Sequence, residues 1–252
     1  MYYILYFIVG LFFGSFYYVV GDRGPKNENY INSRSRCDYC LHELKWYELI
    51  PLFSYIFQRG KCNYCHKNIN INHFLIELST GILFCLGYYL YGNSIQNIFY
   101  LIIISLLLLI YVSDFKYMVI LDSYLYVANI LYIIFLFIES GLNTTLIQIA
   151  AGILLFFTFY LVKIIFDYIY KRESLGGGDI KLAFFMGLVL GYPLGLTSFA
   201  LSCFLALPYA FTIMHLNKKN ELPFGPFLIS ACLIVFLFID KFKLVLDFLF
   251  NL

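Results

Sequence analysis

The sequence predicts an all-α polytopic membrane protein, and three observations carry that prediction. Hydrophobic residues fill 62% of the 252 positions and charged residues only 13%. An ordinary soluble domain carries roughly 25% charged residues, so this chain lacks the polar surface to cover itself in water. Its apolar runs are continuous and approach the roughly 20 residues that a helix needs to cross ~30 Å of hydrocarbon, whereas the strands of a transmembrane barrel alternate. Its basic residues, finally, gather on one side of the topology those runs define.

About eight transmembrane helices follow, over residues 2–20, 74–91, 96–113, 123–138, 146–169, 180–191, 194–214 and 225–239. The first run has no basic n-region and no small-residue cleavage site, and further spans follow it, so it reads as helix one rather than a signal peptide. Three regions result: the first transmembrane helix (1–20), a polar loop (21–73) and a transmembrane core (74–252). The stretch Lys241–Leu252 is amphipathic and is expected along the membrane surface. With an even number of spans, one side holds segments 21–73, 114–122, 170–179 and 215–224. With their flanks these carry 15 of the 17 basic residues, among them Arg172, Lys218 and Lys219, and leave Lys241 and Lys243 opposite. The positive-inside rule makes that side cytoplasmic. The formal net charge of +2 says little about partners, and a nucleic-acid partner is not expected.

The polar loop contains Cys37-Asp38-Tyr39-Cys40 and, after 21 further residues, Cys62-Asn63-Tyr64-Cys65. Two C-x2-C pairs let four thiolates meet around one tetrahedral zinc. Disulfides are the alternative, and the cytoplasmic side disfavours them. A site of four thiolates leaves no open coordination position, so the metal is expected to serve folding. Cys85, Cys203 and Cys232 lie in apolar runs and read as small hydrophobes. His42, His66 and His73 read as surface residues rather than ligands.

An ionisable group at membrane depth costs about 2.5–3.5 kcal/mol on insertion scales and so needs a reason to be there. Asp114 ends the third run, and Asp179 closes Gly176-Gly177-Gly178-Asp179 ahead of Ile180-Lys181-Leu182. Two carboxyls brought close cannot both ionise easily, so one holds a proton while the other activates water. The glycines permit close approach of a peptide. The competing reading makes Asp179 an N-cap and Asp114 a helix-end partner of Lys116. Asp122 is the rival for the first role, eight residues on and about 12 Å away if the stretch is helical. Glu77 is expected to pair with a basic residue of the polar loop, and Asp167 with Lys163. The run Gly176–Lys181 lacks the Gly-Lys-Ser/Thr of a phosphate loop.

In order along nearly the whole chain, these residues resemble the type IV prepilin peptidases. The resemblance runs through Gly14-Ser15-Phe16, Arg23-x-Pro25, both cysteine pairs, Ile50-Pro51, Gly60-Lys61 and Glu77-Leu78-x-Thr80-Gly81. It continues through Asp114 with Leu121-Asp122, Gly176-x-Gly178-Asp179-x-Lys181-Leu182 and Pro223-Phe224-Gly225-Pro226. It implies an aspartyl endopeptidase of the cytoplasmic membrane that cuts the short basic leader of prepilins or pseudopilins after glycine. Asp114 and Asp179 fall on its catalytic aspartates, with Asp122, Gly176, Gly178, Lys181 and Glu77 as supporting positions. Many members also methylate the new N-terminus with S-adenosylmethionine. Two positions depart from the family pattern: Tyr18 stands for an asparagine and Leu121 for a proline.

Two other functions fit the composition. A presenilin-like intramembrane aspartyl protease would need its aspartates deeper in apolar sequence. A transporter or zinc-stabilised scaffold would process no prepilin at all.

Overall fold

The structure is a computed structural model, and it describes residues 2–28, 34–37, 39–171, 173–217 and 222–250. Arg172, Lys218 and Lys219, counted above on the cytoplasmic side, lie outside the described residues, as does Asp38 between the first two cysteines. Among the described residues the regular structure is helical, apart from two isolated bridge pairs. The chain forms two compact units, Met1–Lys116 and Tyr117–Leu252.

The first unit is built on α1 (Tyr2–Arg23), α3 (Ile71–Tyr91) and α4 (Ile95–Tyr117), with the short α2 (Phe53–Phe57) in the intervening polar segment. Helices α1 and α3 touch through small residues. A Cβ on Gly10 would lie 2.9 Å from the Gly81 Cα, and one on Gly14 would lie 2.7 Å from the Thr80 Oγ1. Gly10 and Gly14 are four apart on one face, the spacing that lets membrane helices approach backbone to backbone. Helix α4 closes the unit. The Tyr17 hydroxyl donates to Ser105 Oγ at 2.6 Å, and Tyr100, Ile103 and Ile104 are wholly buried. Helix α3 begins at Ile71, three residues before the predicted start, because the Asn70 side chain caps it by accepting the Asn72 N–H at 3.0 Å.

The second unit packs α5 (Asp122–Tyr170), α7 (Tyr192–Asn217) and α8 (Gly225–Leu237) around α6 (Gly177–Leu190), and α9 (Ile239–Phe250) touches α8. Leu182, Ala183, Phe185, Met186 and Leu188 of α6 have no exposed surface. A helix that is apolar all round is one packed on all sides. Helix α5 is one element where two spans and the loop Glu139–Thr145 were expected. Only Gly141 leaves helical geometry (φ 77, ψ 178), a conformation essentially reserved for glycine, so the helical legs 122–140 and 142–170 meet at a single residue. Thr145 keeps the polar stretch helical by donating to the Gly141 carbonyl at 2.8 Å.

Among the described residues five helices are long and apolar enough to cross a membrane: α1, α3, α4, α5 and α7. The predicted spans 180–191 and 225–239 are helices of 14 and 13 residues, short of the roughly 20 that a straight crossing needs.

Candidate active site and metal centre

The cysteine pairs sit on two copies of one hairpin. In the first, the Cys37 N–H donates to the His42 carbonyl (3.0 Å), the Leu41 N–H to the Cys37 carbonyl (3.0 Å) and the Leu44 N–H to the Ser35 carbonyl (2.8 Å). The second repeats each bond 62 − 37 = 25 residues later: Cys62 to Lys67 (3.0 Å), His66 to Cys62 (2.9 Å) and Ile69 to Gly60 (2.8 Å). Leu41 and His66, each directly after the second cysteine of its pair, are both left-handed at φ 59 and 58. The bridge Arg36–Glu43 likewise recurs as Lys61–Asn68. The duplication has a signal in the sequence, a basic residue followed by Cys-(Asp/Asn)-Tyr-Cys, which the spacing of the cysteines alone does not reveal.

The hairpins bring all four sulfurs within 4.8 Å of one another. Cys37 Sγ stands 3.8 Å from Cys65 Sγ, and Cys40 Sγ 4.0 Å from Cys62 Sγ. Four thiolates bound to one zinc at ~2.3 Å stand about 3.8 Å apart at the corners of a tetrahedron, so the cluster fits such an ion. Burial opposes the Cys62 thiolate, but the backbone N–H groups of Cys65 and Tyr64 and two neighbouring thiols outweigh it and bring the group down to about 7. At Cys40 the His42 N–H favours the thiolate, while desolvation and the three other sulfurs push it up to about 11. Among the described residues no histidine joins the cluster: His42 stacks on Tyr64 and His73 on Tyr18.

Glu77 is buried in α3 and accepts the Leu52 N–H at 2.8 Å, with the Ser15 hydroxyl as a second donor. The expected ionic partner is thus a backbone turn, because Leu52 sits at φ 61, a strained position for a branched side chain. The turn is held by that carboxylate.

Asp114 is buried in the last turn of α4. Its neighbour Lys116 binds Asp22 of α1, whose carboxylate also takes Lys26 at 3.2 Å. The stretch from Asp114 to Asp122 is not a continuous helix: α4 ends at Tyr117, Met118 is left-handed (φ 54), and α5 starts at Asp122. The 12 Å helical separation therefore does not apply.

In the second unit Asp179 is buried, and it is not the N-cap of α6. The helix starts earlier, within the glycines: Gly176 is the cap, and the Asp179 N–H already bonds to its carbonyl at 3.1 Å. Asp179 therefore lies in the first helical turn, where the helix dipole favours a carboxylate. At Gly178 the segment before α5 comes close, since a Cβ there would lie 2.9 Å from the Ile120 Cβ. Asp122 and Lys181, half exposed, form an ion pair at 2.5 Å. Asp167 accepts the Ser174 N–H at 2.6 Å and so caps the turn after α5 rather than serving only a helical ion pair.

Residues 8–91 match the bacterial peptidase A24 N-terminal domain, and residues 101–211 match the type IV leader peptidase family. The chain belongs to the type IV leader peptidase family. Its relatives include a prepilin leader peptidase/N-methyltransferase of Bacillus subtilis (strain 168), 33% identical over 93% of this chain and 94% of the relative. A protein of the same description from Vibrio cholerae serotype O1 is 30% identical over 94% of this chain and 96% of its own length. No solved structure matches the chain. Within the leader peptidase family match lie Asp114, Asp122 and Asp179, while the four cysteines and Glu77 lie in the N-terminal domain match.

Proposed function

We propose that this leader peptidase cuts the short leader from type IV prepilins or pseudopilins at the cytoplasmic membrane face, with Asp114 and Asp179 as its catalytic carboxyls. The observation that carries the assignment is burial. Among the described residues four carboxylates are buried: Glu48, Glu77, Asp114 and Asp179. Asp114 and Asp179 are the two of these that lie within the leader peptidase family match, whereas Glu48, bonded to the Lys45 N–H and the Asn63 amide at 2.9 Å each, and Glu77, bonded to the Leu52 N–H, lie in the N-terminal domain match. Asp122, the rival, is half exposed and paired with Lys181, which suits a supporting role. In the reaction one carboxylate takes a proton from water as it attacks the scissile carbonyl. The other, protonated, gives its proton to the leaving nitrogen.

The topology adopted with this reading has eight crossings. Helix α5 is counted twice, since 49 residues would run roughly 73 Å at 1.5 Å each, more than two hydrocarbon thicknesses. The charge asymmetry puts the cysteine loop, Asp114 and Asp179 on the cytoplasmic side. Residues 21–73 form a module folded by one zinc on Cys37, Cys40, Cys62 and Cys65, a structural ion without an open position.

Methylation of the new N-terminus would draw on S-adenosylmethionine, which supplies a methyl group from a sulfonium. A cavity of about 300 Å³ in the first unit, lined by acidic (Asp22, Glu48, Glu77) and basic (Arg23, Arg36, Lys116) side chains, has the size of a small ligand site. Those residues would hold the donor.

The test is leader cleavage in membranes carrying Asp114→Ala, Asp122→Ala or Asp179→Ala. Loss with Asp114→Ala and Asp179→Ala is expected. Near-normal cleavage by both would sink the mechanism, and loss with Asp122→Ala but not Asp114→Ala would move the first role eight residues on.

A further inference from the structure

We infer that the segment Trp46–Phe57, in the middle of the polar loop, is a bilayer-interface anchor that seats the cysteine module on the lipid surface. For a segment outside the spans its surface is unusually apolar. Trp46 is 77% exposed and Phe57 82%, and Tyr47, Leu49, Phe53 and Ile56 are exposed as well. On α2 the residues Phe53, Ile56 and Phe57 share a face by their spacing of three and four. On the other side of the same helix, Tyr55 packs against Phe74 of α3 with ring centres 5.2 Å apart. The apolar face is therefore turned away from the unit's own interior, and a patch of this kind marks a surface with a partner.

Three features make that partner the bilayer. The first is place. The Leu52–Glu77 hydrogen bond and the Tyr55–Phe74 stack fasten this segment beside the first two turns of α3. There Ile71 and Leu75 are exposed in turn, so the patch continues the apolar surface of a helix long enough to cross the membrane. The second is chemistry: tryptophan and tyrosine are the residues that settle at the headgroup level, with apolar rings inward and polar edges in water. The third is charge. From Lys45 to Lys61 the sequence has Lys45, Arg59 and Lys61 exposed and a single acid, Glu48, which is buried and bonded within the module. The exposed surface is apolar and basic with no carboxylate, which suits anionic headgroups. The inference rests on α1 and α3 crossing the bilayer and not on which aspartates are catalytic.

Trp46 is the only tryptophan of the chain, so its fluorescence reports this segment alone. The full-length protein is placed in nanodiscs of anionic lipid, with and without bromine near the carbonyl end of the acyl chains. Shallow bromolipid is expected to quench the emission by about twofold or more, while iodide in the water quenches it little, as for an interfacial ring. Phe53→Ser/Phe57→Ser should lose most of the bromolipid quenching, and Asp179→Ala should keep it, which separates the anchor from the peptidase assignment. Emission that ignores bromolipid and is freely quenched by iodide overturns the inference. Protection from iodide gained only on adding a prepilin, or only in discs holding two copies, overturns it too, by giving the patch to substrate or to a second chain.

Discussion

Gly178→Ala is the substitution on which the geometry of the second unit is most exposed to test. The added methyl would sit 2.9 Å from the Ile120 Cβ and 3.2 Å from its Cγ1 and Cδ1. Carbon atoms in ordinary contact stand about 3.5–4.0 Å apart, so the two segments must part by roughly 0.6 Å or more. Overpacking of that kind costs about 1–3 kcal/mol. If the active geometry bears it, cleavage falls by about 5- to 160-fold at 1.36 kcal/mol per decade. The opposing gain, up to ~1 kcal/mol for replacing glycine by alanine in a helix, is shared by Gly177→Ala. At Gly177 an added Cβ meets nothing within 4 Å, so that variant supplies the reference. The assay is initial rate of leader cleavage by the two variants in the same membranes at matched expression. Ile120→Gly in the Gly178→Ala background moves the small residue to the other side of the contact and should recover most of the loss. Equal rates for Gly177→Ala and Gly178→Ala would refute the reasoning and leave the glycines as a flexible lead-in to α6.

Three further outcomes are expected. The purified full-length chain should carry one zinc by elemental analysis, and Cys62→Ser should lower the metal content to a small fraction, since it removes the buried ligand of the four. Lys181→Met should reduce cleavage by no more than about fivefold, because a half-exposed ion pair is worth at most about 1 kcal/mol; a much larger fall with Asp122→Asn than with Lys181→Met would mean that the carboxylate does more than pair. Gly14→Val should lower the thermal stability of the purified protein measurably, since even a Cβ there lies 2.7 Å from Thr80 Oγ1 and 2.8 Å from the Glu77 Cα, and an unchanged midpoint would argue against the close α1–α3 contact.

Helices and cysteines were legible in the sequence for different reasons than the span count was not. Continuous apolar runs gave every long helix, and the two C-x2-C pairs gave the cluster, because both signals are local in the chain. Hydropathy cannot tell a helix that faces lipid from one enclosed by protein. The run at 180–191 is apolar because α6 is the packed centre of its unit, where Leu182 and Phe185 have no exposed surface at all. The polar stretch Glu139–Thr145 looked like a loop by composition, yet serine, asparagine and threonine are tolerated in a helix and only Gly141 departs from it. Reach across tertiary structure was equally invisible. Nothing in the order of residues said that Lys116 would go to Asp22, or that Glu77 would hold the backbone of Leu52.

The start of α6 shows how such a misreading bears on chemistry. An aspartate ahead of an apolar run reads as an N-cap, an exposed carboxylate occupied by backbone N–H groups. With glycine as the cap and two more glycines forming the first helical positions, Asp179 moves inside the turn and under cover. Glycine is a poor residue for beginning a helix on propensity alone. Its use at Gly178 is explained by the 2.9 Å approach of Ile120, which any side chain would block. The contact fixes the segment leading to Asp122 against the turn that carries Asp179, and the Asp122–Lys181 pair fastens the same two elements one turn further along. Gly178 and the ion pair are thus accounted for by one packing arrangement beside Asp179. Asp179, buried beside that contact, is the member of the motif proposed for catalysis.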